Sequence, residues 1–327
     1  MKSKILVIGA SGFIGRRIVN ALIATDRFTP VAVSRNATRA SFGAGVEAVD
    51  LDAAHSEALR PLVAASAGVV NCVAGSAESI LSSTQAIIAA AQGATPSLRV
   101  VHLSSLAAYG SANGVVDEDA PLRGDLGDYS AVKARTDALM SACEFAVILR
   151  PGIVFGPSSP WWSDRIARLL LAQRLGDLGS QGSGICNLVY VDDVAQAVVR
   201  ALDLQDKPFG AFNLAQAVPV TWNEYFARYA RALGVAPLRS ISATRLAFET
   251  KVLSVPLKVL ELALRTPKMA RWNPLPPIRP WLTDECLRTT CMDTSRASRV
   301  LKMHWTPLDA ALQVTANWFR GGGRTLV

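Results

Sequence analysis

The sequence predicts an α/β protein with a doubly wound parallel sheet and a smaller, mostly helical second part. Residues 5–8 are four consecutive apolar residues that lead into glycines at 9, 12 and 15, and a helical pattern follows at once. Further short apolar segments, the pattern of buried parallel strands, occur at 31–33, 46–49, 69–73 and 100–103. The 327 residues are 50% hydrophobic, which is enough to bury a large core.

The glycines at the first strand–helix turn predict a dinucleotide-binding site. Gly9 permits a tight turn, Gly12 allows the backbone to approach a pyrophosphate, and Gly15 lets the helix pack against the strand. Free N–H groups at the start of the helix attract the anion. Glycine triplets alone are weak signals, but the strand before and the helix after favour this interpretation over a flexible loop. The residues expected to bind the cofactor at this turn are Gly9, Ser11, Gly12, Phe13, Ile14 and Gly15.

The end of the second strand bears on the choice of cofactor. An acidic residue there would accept hydrogen bonds from the 2′-hydroxyl of the adenosine ribose, but this strand ends in Ser34 and Arg35. A small residue followed by an arginine leaves room for a 2′-phosphate and supplies donors to hold it. The sequence therefore favours NADP, with NAD as the alternative and an ordinary surface arginine as the structural explanation.

Two further strand ends are expected to contact the cofactor. Asp50 and Leu51 follow the third strand, where a carboxylate can lie beside the adenine amino group. The fourth strand runs through Val73 into Ala74 and Gly75, whose small side chains leave the cofactor room at the carboxyl end of the strand.

Tyr129 and Lys133 are a candidate acid–base pair. Four residues apart on a helix, they share one face, so the ammonium can lie near the phenol and favour its anion. A phenol with a pKa of about 10 is a poor base at neutral pH, and a nearby cation together with a positively charged cofactor ring would lower that pKa.

The combined motifs resemble the extended short-chain dehydrogenase/reductase superfamily, in particular its NAD(P)-dependent epimerase/dehydratase and 3β-hydroxysteroid-dehydrogenase-like group. The resemblance covers at least residues 4–214. It rests on the glycines at 9, 12 and 15, the Ser-Ser-Leu-Ala-Ala-Tyr-Gly segment at 104–110, Tyr129 with Lys133, the strand exit at 149–157 and the Tyr-Val-Asp-Asp-Val-Ala segment at 190–195.

The resemblance implies a role for each matching residue. Tyr129 would be the acid/base, Lys133 would lower its pKa and bond the nicotinamide ribose, and Ser105 would hold the substrate oxygen. Pro151 and Ile153, at the strand exit, are expected to contact the cofactor. The resemblance also implies a homodimer, because the tyrosine helix pairs across a two-fold axis in many members.

Departures from the sugar-nucleotide members bear on the substrate. The 4,6-dehydratases carry an Asp-Glu pair where this chain has Leu106 and Ala107, which disfavours dehydration. An arginine that grips the diphosphate in many relatives is replaced by Cys186, although another nearby arginine could substitute for it. The arginines considered are Arg165, Arg168 and Arg174.

We therefore expect an NADP(H)-dependent oxidoreductase that interconverts a secondary alcohol and a ketone on an apolar or cyclic substrate. One alternative is a sugar-nucleotide 4-epimerase or a related enzyme that retains NAD. A less favoured one is a non-catalytic protein that senses NADP(H).

The domain organisation follows from the same pattern. Residues 1–157 are expected to form the dinucleotide-binding domain, completed by residues from about 186 to 215. Residues 158–327 would form the substrate-binding part, from 158–185 and about 216–327. Trp161 and Trp162 lie in the predicted loop after residue 157, where they could line an apolar pocket or pack between the two parts.

Composition excludes several other classes. A net charge of +8 without a long basic run suits a phosphorylated cofactor and does not indicate nucleic-acid binding. Five cysteines in no metal-ligand spacing predict a reduced, metal-free protein. The first apolar segment ends in the glycine turn and is not a signal peptide, so we expect a cytoplasmic protein.

Residues 246–280 are the one segment with a possible membrane-surface role. They combine an apolar stretch with a basic, proline-rich tract, and an amphipathic surface element is conceivable. The favoured interpretation is a buried helix followed by an ordered loop, because Pro256 is expected to break a long interfacial helix.

Overall fold

A seven-stranded parallel sheet lies at the centre of the N-terminal part of the chain, in the order β11-β7-β5-β4-β1-β2-β3. The structure is a computed structural model and describes residues 2–94, 98–205, 210–263 and 276–323. The strands are β1 Ser3–Ile8, β2 Phe28–Ser34, β3 Glu47–Asp50, β4 Gly68–Asn71, β5 Arg99–Leu103, β6 Val115–Val116, β7 Ala146–Pro151, β8 Ile153–Phe155, β9 Ile185–Cys186, β10 Leu188–Tyr190, β11 Gly210–Leu214, β12 Val220–Thr221 and β13 Cys291–Met292.

Helices connect the strands of the sheet and make up most of the C-terminal third. They are α1 Phe13–Ala24, α2 Ser56–Ala64, α3 Ala77–Ala91, α4 Asp128–Ser141, α5 Arg165–Leu171, α6 Val191–Leu202, α7 Trp222–Leu233, α8 Ala243–Phe248, α9 Ser254–Ala263, α10 Pro280–Cys286, α11 Ser295–Val300 and α12 Leu308–Arg320. Among the described residues, no helix is both long and apolar enough to cross a bilayer.

The strand order confirms the doubly wound parallel sheet. The connection from β1 goes to β2 and β3 on one side, and the chain then returns to place β4, β5 and β7 on the other. Between β1 and β4 the direction of winding reverses, and the crevice at the carboxyl ends of such strands is where this class of sheet binds ligands. The first glycine turn follows β1 and therefore lies at this position.

Strand β2 is longer than the sequence indicates because it includes Pro30. Pro30 is opposite Ile5 of β1, whereas the pairing of β2 with β3 begins only at Val31. The proline has no N–H to donate, and β3 does not pair with β2 at that position, so it is tolerated there.

The chain divides into two compact units. The first comprises Met1–Val154, Val189–Ala217 and Met292–Trp305, and the second comprises Phe155–Leu188, Val218–Cys291 and Thr306–Val327. The sequence-based division placed residues from about 216 to 327 in the second part, whereas Met292–Trp305 groups with the first unit. Hydrogen bonds explain the difference: the Asp293 N–H donates to the carbonyl of Val116, and the Asn213 amide donates to the carbonyl of Asp293.

Helix α7 of the second unit has clear signals at both ends. Thr221 caps its N-terminus in a capping box with Glu224, and Gly234 ends it in the left-handed conformation. Its buried face is aromatic: Tyr225 and Tyr229 stack with ring centroids 5.9 Å apart.

The tryptophan segment is helical, where the sequence predicted a loop. Pro160–Asp164 forms a single π-helical turn that leads into α5. Within the second unit Trp162 packs against Trp222 and Trp281, with ring centroids 5.6 and 5.5 Å apart, whereas Trp161 is partly exposed.

The apolar stretch near residue 250 also departs from expectation. The helix does not end before Pro256, because α8, the π-helical segment Glu249–Leu253 and α9 follow one another without a break. It is not buried either, since most of its residues from Lys251 to Leu260 are exposed. The predicted loop beyond it falls largely on 264–275, outside the described residues.

Candidate active site

The glycine turn after β1 is packed so tightly that two of its glycines cannot be replaced without movement. Gly9 has a φ of +86°, and a Cβ there would lie 2.8 Å from the carbonyl oxygen of Cys72. A Cβ on Gly15 would lie 2.3 Å from the carbonyl oxygen of Gly9. For Gly12 the same oxygen, at 3.2 Å, is the only near neighbour within the described chain. Gly9 and Gly15 therefore shape the turn, whereas a Cβ on Gly12 would meet one carbonyl oxygen.

The N-terminus of α1 is arranged to receive an anion. Gly12 precedes its first residue, Phe13, and no side chain in the described part of the protein caps the helix. The N–H groups of the first turn, which includes Phe13 and Ile14, therefore have no side-chain cap and can bind an anion. Arg16 stabilises the turn, because its guanidinium donates to the carbonyl of Ser11 at 2.9 Å.

The ends of β2 and β3 meet beside this turn. The Leu51 N–H donates to the carbonyl of Ser34 at 3.0 Å. The Ser34 hydroxyl is buried and makes no hydrogen bond within the residues that the structure describes. A buried hydroxyl without a partner is uncommon and suits a site where a bound group supplies one. Arg35 is exposed at the same strand end.

Asp50 is already engaged in a different contact from the predicted one. Its two carboxylate oxygens accept hydrogen bonds from the N–H and the hydroxyl of Thr38, at 2.8 and 2.6 Å. These bonds hold the pKa of Asp50 below its ordinary value. The carboxylate thus closes the loop after β2, and an interaction with adenine would have to use its remaining lone pairs.

The end of β4 provides open space at the place where the sequence predicts it. Asn71 fixes the turn, because its side-chain oxygen accepts from the N–H of Val73 at 3.2 Å. Ala74 and Gly75 follow, and Gly75 has a φ of +134° with nothing within 4 Å of the position of a Cβ. Pro151 and Ile153, at the ends of β7 and β8, are both buried.

The three predicted catalytic side chains come together at the ends of β5 and α4. The Ser105 hydroxyl acts on the Tyr129 phenol and lowers its pKa. The Lys133 ammonium lies 5.9 Å from the centroid of the Tyr129 ring and donates to the carbonyl of Leu103 at 2.8 Å. Tyr129 as a whole residue is 48% exposed. A hydroxyl, a phenol and an ammonium therefore converge from separate segments of the first unit.

Local hydrogen bonds fix these side chains in place. Ser105 begins a 3-10 turn, Leu106–Tyr109, and its hydroxyl accepts from the N–H of Ala107 at 3.1 Å. Ser130, next to the tyrosine, donates to the carbonyl of Ala107 at 2.7 Å. These contacts join the start of α4 to the turn that carries Ser105.

Burial dominates the electrostatics of the pair. Burial raises the pKa of Tyr129, and the Ser105 hydroxyl partly opposes this. Burial lowers the pKa of Lys133 to about 8, while the Asp137 carboxylate acts in the opposite direction. The largest influence on the pKa of Tyr129 is therefore burial, which acts against the lowering that the sequence predicts from a nearby cation. The phenol is therefore neutral at pH 7.

The sequence analysis did not identify the buried ion pair and hydrogen bonds that lie beneath this site. Arg150 on β7 forms a two-pronged ion pair with Asp137 on α4, at 2.8 and 2.9 Å. The same guanidinium donates to the hydroxyl of Tyr109, which in turn donates to Asn213. The one available signal was Asp137 four residues after Lys133, on the same helix face as the lysine.

Ser104 was also missed. Its hydroxyl is buried at the end of β5 and has no partner in the part of the chain that is described. Together with Ser34 it marks the crevice as a place where a polar ligand completes the hydrogen bonding. The helix N-terminus without a side-chain cap, the two hydroxyls and the open space at Gly75 fit a dinucleotide.

The comparison with known families agrees with this geometry. Residues 5–215 match the NAD dependent epimerase/dehydratase family. The chain belongs to that family. It is accordingly an NAD(P)-dependent enzyme of the extended short-chain dehydrogenase/reductase type, as the sequence motifs predicted.

Individual relatives of this family are distant. A 3-diazoavenalumate denitrifying reductase of a Streptomyces species is 29% identical over 263 residues, which are 73% of this chain and 84% of the relative. Among solved structures, a UDP-glucuronic acid 4-epimerase of Bacillus cereus in complex with NAD has a TM-score of 0.73 and 19% identity, with 99% of each chain covered. The UDP-glucose 4-epimerase of Thermotoga maritima has a TM-score of 0.72 and 18% identity, with 98% of this chain and 99% of the other covered. At such identities the structures show a shared fold only.

Proposed function

We propose that this protein is an NADP(H)-dependent oxidoreductase that interconverts a secondary alcohol and a ketone on an apolar or cyclic substrate. The observation that carries the proposal is the convergence of the Ser105 hydroxyl and the Tyr129 phenol, with the Lys133 ammonium 5.9 Å from the ring of the tyrosine. A phenol and a hydroxyl at the same place can both contact one substrate oxygen.

Tyr129 would act as the acid in the direction of reduction. Its pKa is raised by burial, so the phenol holds its proton at neutral pH and can donate it to the carbonyl oxygen of the substrate. Ser105 would orient that oxygen, since its own hydroxyl is fixed by the Ala107 N–H. A bound nicotinamide would supply the hydride to the carbonyl carbon. In the reverse direction the tyrosine would accept the proton of the alcohol.

Lys133 would hold positive charge beneath the phenol. With a pKa of about 8 it is largely protonated at neutral pH, and a cation there opposes the cost of forming a phenolate. Its bond to the carbonyl of Leu103 uses one of its three donors. The remaining donors can bond a ribose hydroxyl of the cofactor.

The second unit supports a substrate without a diphosphate. Two arginines that could have gripped one are engaged within that unit. Arg174 is buried and paired with Glu249. Arg165 donates to the carbonyl of Pro277 and lies 5.3 Å from the ring centroid of Trp161. The 29% identical relative is named a reductase, which agrees with net reduction as the direction of the reaction.

The cofactor preference is proposed from Ser34 and Arg35. A 2′-phosphate at this strand end would meet the buried Ser34 hydroxyl and the exposed guanidinium. A charge-assisted hydrogen bond contributes about 1.5–3 kcal/mol, so Arg35→Ser should raise the KM for NADPH by roughly 10- to 150-fold and leave that for NADH unchanged. Arg39→Ser on the same loop is the matched control. Equal effects on both cofactors would contradict the preference for NADP.

Replacement of Tyr129 by phenylalanine tests the catalytic role. The variant should lose turnover of NADPH with a panel of cyclic and apolar ketones by at least about 100-fold, because proton donation typically contributes that much. It should still bind NADPH, as followed by cofactor fluorescence. Tyr190→Phe, elsewhere in the first unit, is the control for loss of a tyrosine hydroxyl. Normal turnover by Tyr129→Phe would reject the assignment.

A second measurement separates the proposal from its alternatives. The purified protein is denatured and the released nucleotide is identified. Little bound nucleotide, with multiple turnovers of added NADPH, is expected for an oxidoreductase. Stoichiometric release of NAD would instead favour a sugar-nucleotide epimerase. Binding of NADPH without turnover of any ketone would favour a sensing protein.

A further inference from the structure

One helix of the second unit presents a row of large apolar side chains to solvent. We call it the apolar helix face, and it consists of Phe248, Val252, Val255, Val259 and Leu260, which are between 44% and 64% exposed. The separations of four, three and four residues place the first four on one side of the continuous helical segment from α8 to α9. Apolar side chains grouped in this way usually mark an interaction surface.

Only the first part of this segment is held by the rest of its unit. Leu246, Glu249 and Thr250 are buried, and Glu249 forms a buried ion pair with Arg174. The Arg174 guanidinium also donates to the carbonyl of Pro276, at 3.1 Å. Lys251–Leu260 contains no buried residue. The helix is therefore anchored at one end and extends its apolar face away from that anchor.

The charge around this face favours an anionic partner. Lys251 and Lys258 are exposed on the same helical segment. The net charge of the chain is +8. Basic residues beside exposed apolar ones are the composition of helices that lie at the surface of anionic membranes. A second copy of the chain would bring like charges together.

We propose that the apolar helix face binds the surface of an anionic phospholipid bilayer. The apolar side chains would enter the boundary between headgroups and acyl chains, and Lys251 and Lys258 would remain among the lipid phosphates. The helix would lie in the plane of the surface, since no described helix can span a bilayer. This placement suits an enzyme whose substrate is apolar, but it does not depend on the proposed activity.

Vesicle flotation of the full-length protein tests the proposal. The probe is vesicles of phosphatidylcholine with about one third phosphatidylglycerol, and vesicles of phosphatidylcholine alone are the comparison. The wild type should float with the anionic vesicles. The double variant V255S/V259S should reduce the bound fraction by about tenfold or more, because it removes two apolar contacts with the bilayer. K251Q/K258Q should weaken binding at about 0.1 M salt more than at about 0.5 M salt.

The matched control is V115S/V218S, which makes the same change at two exposed valines outside the apolar helix face. These residues are 75% and 76% exposed, so the variant should bind vesicles like the wild type. Thermal unfolding of all variants should match the wild type, since every altered residue is on the surface. Equal loss of binding in both valine variants, or no flotation of the wild type, would overturn the proposal.

Sedimentation velocity tests whether a second copy of the chain, rather than a bilayer, binds the apolar helix face. If the wild type does not bind vesicles but forms a dimer that V255S/V259S converts to a monomer, the face is an interface between copies and the proposal is wrong. A protein that binds anionic vesicles, with the same oligomeric state in the wild type and the variant, supports it.

Discussion

His102 shows how single contacts beneath the site determine a charge state. The oxygen of the Asn71 side chain accepts from the Val73 N–H, so its amide nitrogen faces His102 Nδ1 at 3.1 Å. The Nδ1 atom must then accept, and the proton is carried by Nε2, which is buried and has no partner among the described residues. Burial together with the nearby Lys133 ammonium lowers the pKa of His102 to about 3. The imidazole is therefore neutral in the folded protein.

This neutral histidine should make stability depend on pH. Its pKa is lowered on folding, so the unfolded chain binds a proton first as the pH falls, and the free energy of unfolding decreases from about pH 6.5 towards about pH 3. The steepest loss is roughly 1.4 kcal/mol per pH unit. Between about pH 7 and about pH 5, His102→Gln should lose about 2 kcal/mol less than the wild type in urea unfolding. His304→Gln, at an exposed histidine, should behave like the wild type. Parallel curves for all three proteins would contradict the argument.

At the scale of elements, helix α4 is joined to strand β7 by a buried ion pair. Asp137 and Arg150 are both almost fully buried, and the guanidinium fork meets both carboxylate oxygens. Arg27 and Asp203 form the same two-pronged contact at the surface, with both distances 2.9 Å. The chain thus contains two pairs of equal geometry in opposite environments. Because Lys133 lies one turn before Asp137, the buried pair also fixes the helix that carries Tyr129.

The two pairs should respond very differently to the same substitution. Asp137→Asn leaves the Arg150 charge buried and uncompensated, which should reduce the free energy of unfolding by about 3–5 kcal/mol. Asp203→Asn should reduce it by about 1 kcal/mol or less, because water solvates the freed guanidinium. Urea unfolding at pH 7 measures both. Similar losses in the two variants would show that burial does not set the contribution of the Asp137 pair.

Elements with a continuous local pattern could be predicted from the sequence. The glycine turn after β1 was expected, because the apolar strand, the glycine spacing and the helical pattern agree there. The π-helical turn at Pro160–Asp164 and the exposure of the helix around Val255 could not be predicted. Both depend on what packs against the segment, and apolar residues in sequence do not reveal whether a partner exists.

The candidate site was predictable to a similar degree. Tyr129, Lys133 and Ser105 were found from motifs, and the structure brings them together, while their catalytic roles remain predictions. The contact of Asp50 with Thr38 and the network of Arg150 were missed. They arise from loop closure and from the register of neighbouring strands, which local spacing does not determine.

At the scale of the whole molecule, the residues proposed to bind the cofactor all lie in the first of the two compact units. Binding to the native state should therefore stabilise that unit by mass action, by about 2.7 kcal/mol when the free ligand is at 100 times its Kd. The size of this effect reports on cofactor binding without any knowledge of the substrate. The same measurement can distinguish a glycine that is needed for folding from a glycine that is needed for cofactor binding.

Alanine substitutions in the glycine turn should make that separation visible in thermal unfolding. In Gly12→Ala the new methyl group meets a single carbonyl oxygen at 3.2 Å, so the free energy of unfolding without cofactor should fall by about 1 kcal/mol or less. The variant should nevertheless lose most of the stabilisation by NADPH, because the methyl group would occupy the approach of the pyrophosphate. Gly15→Ala, with its Cβ 2.3 Å from the Gly9 carbonyl oxygen, should cost about 2 kcal/mol or more even without cofactor. If Gly12→Ala kept the full NADPH effect, the pyrophosphate would not lie at this turn, and the assignment of the crevice would be wrong.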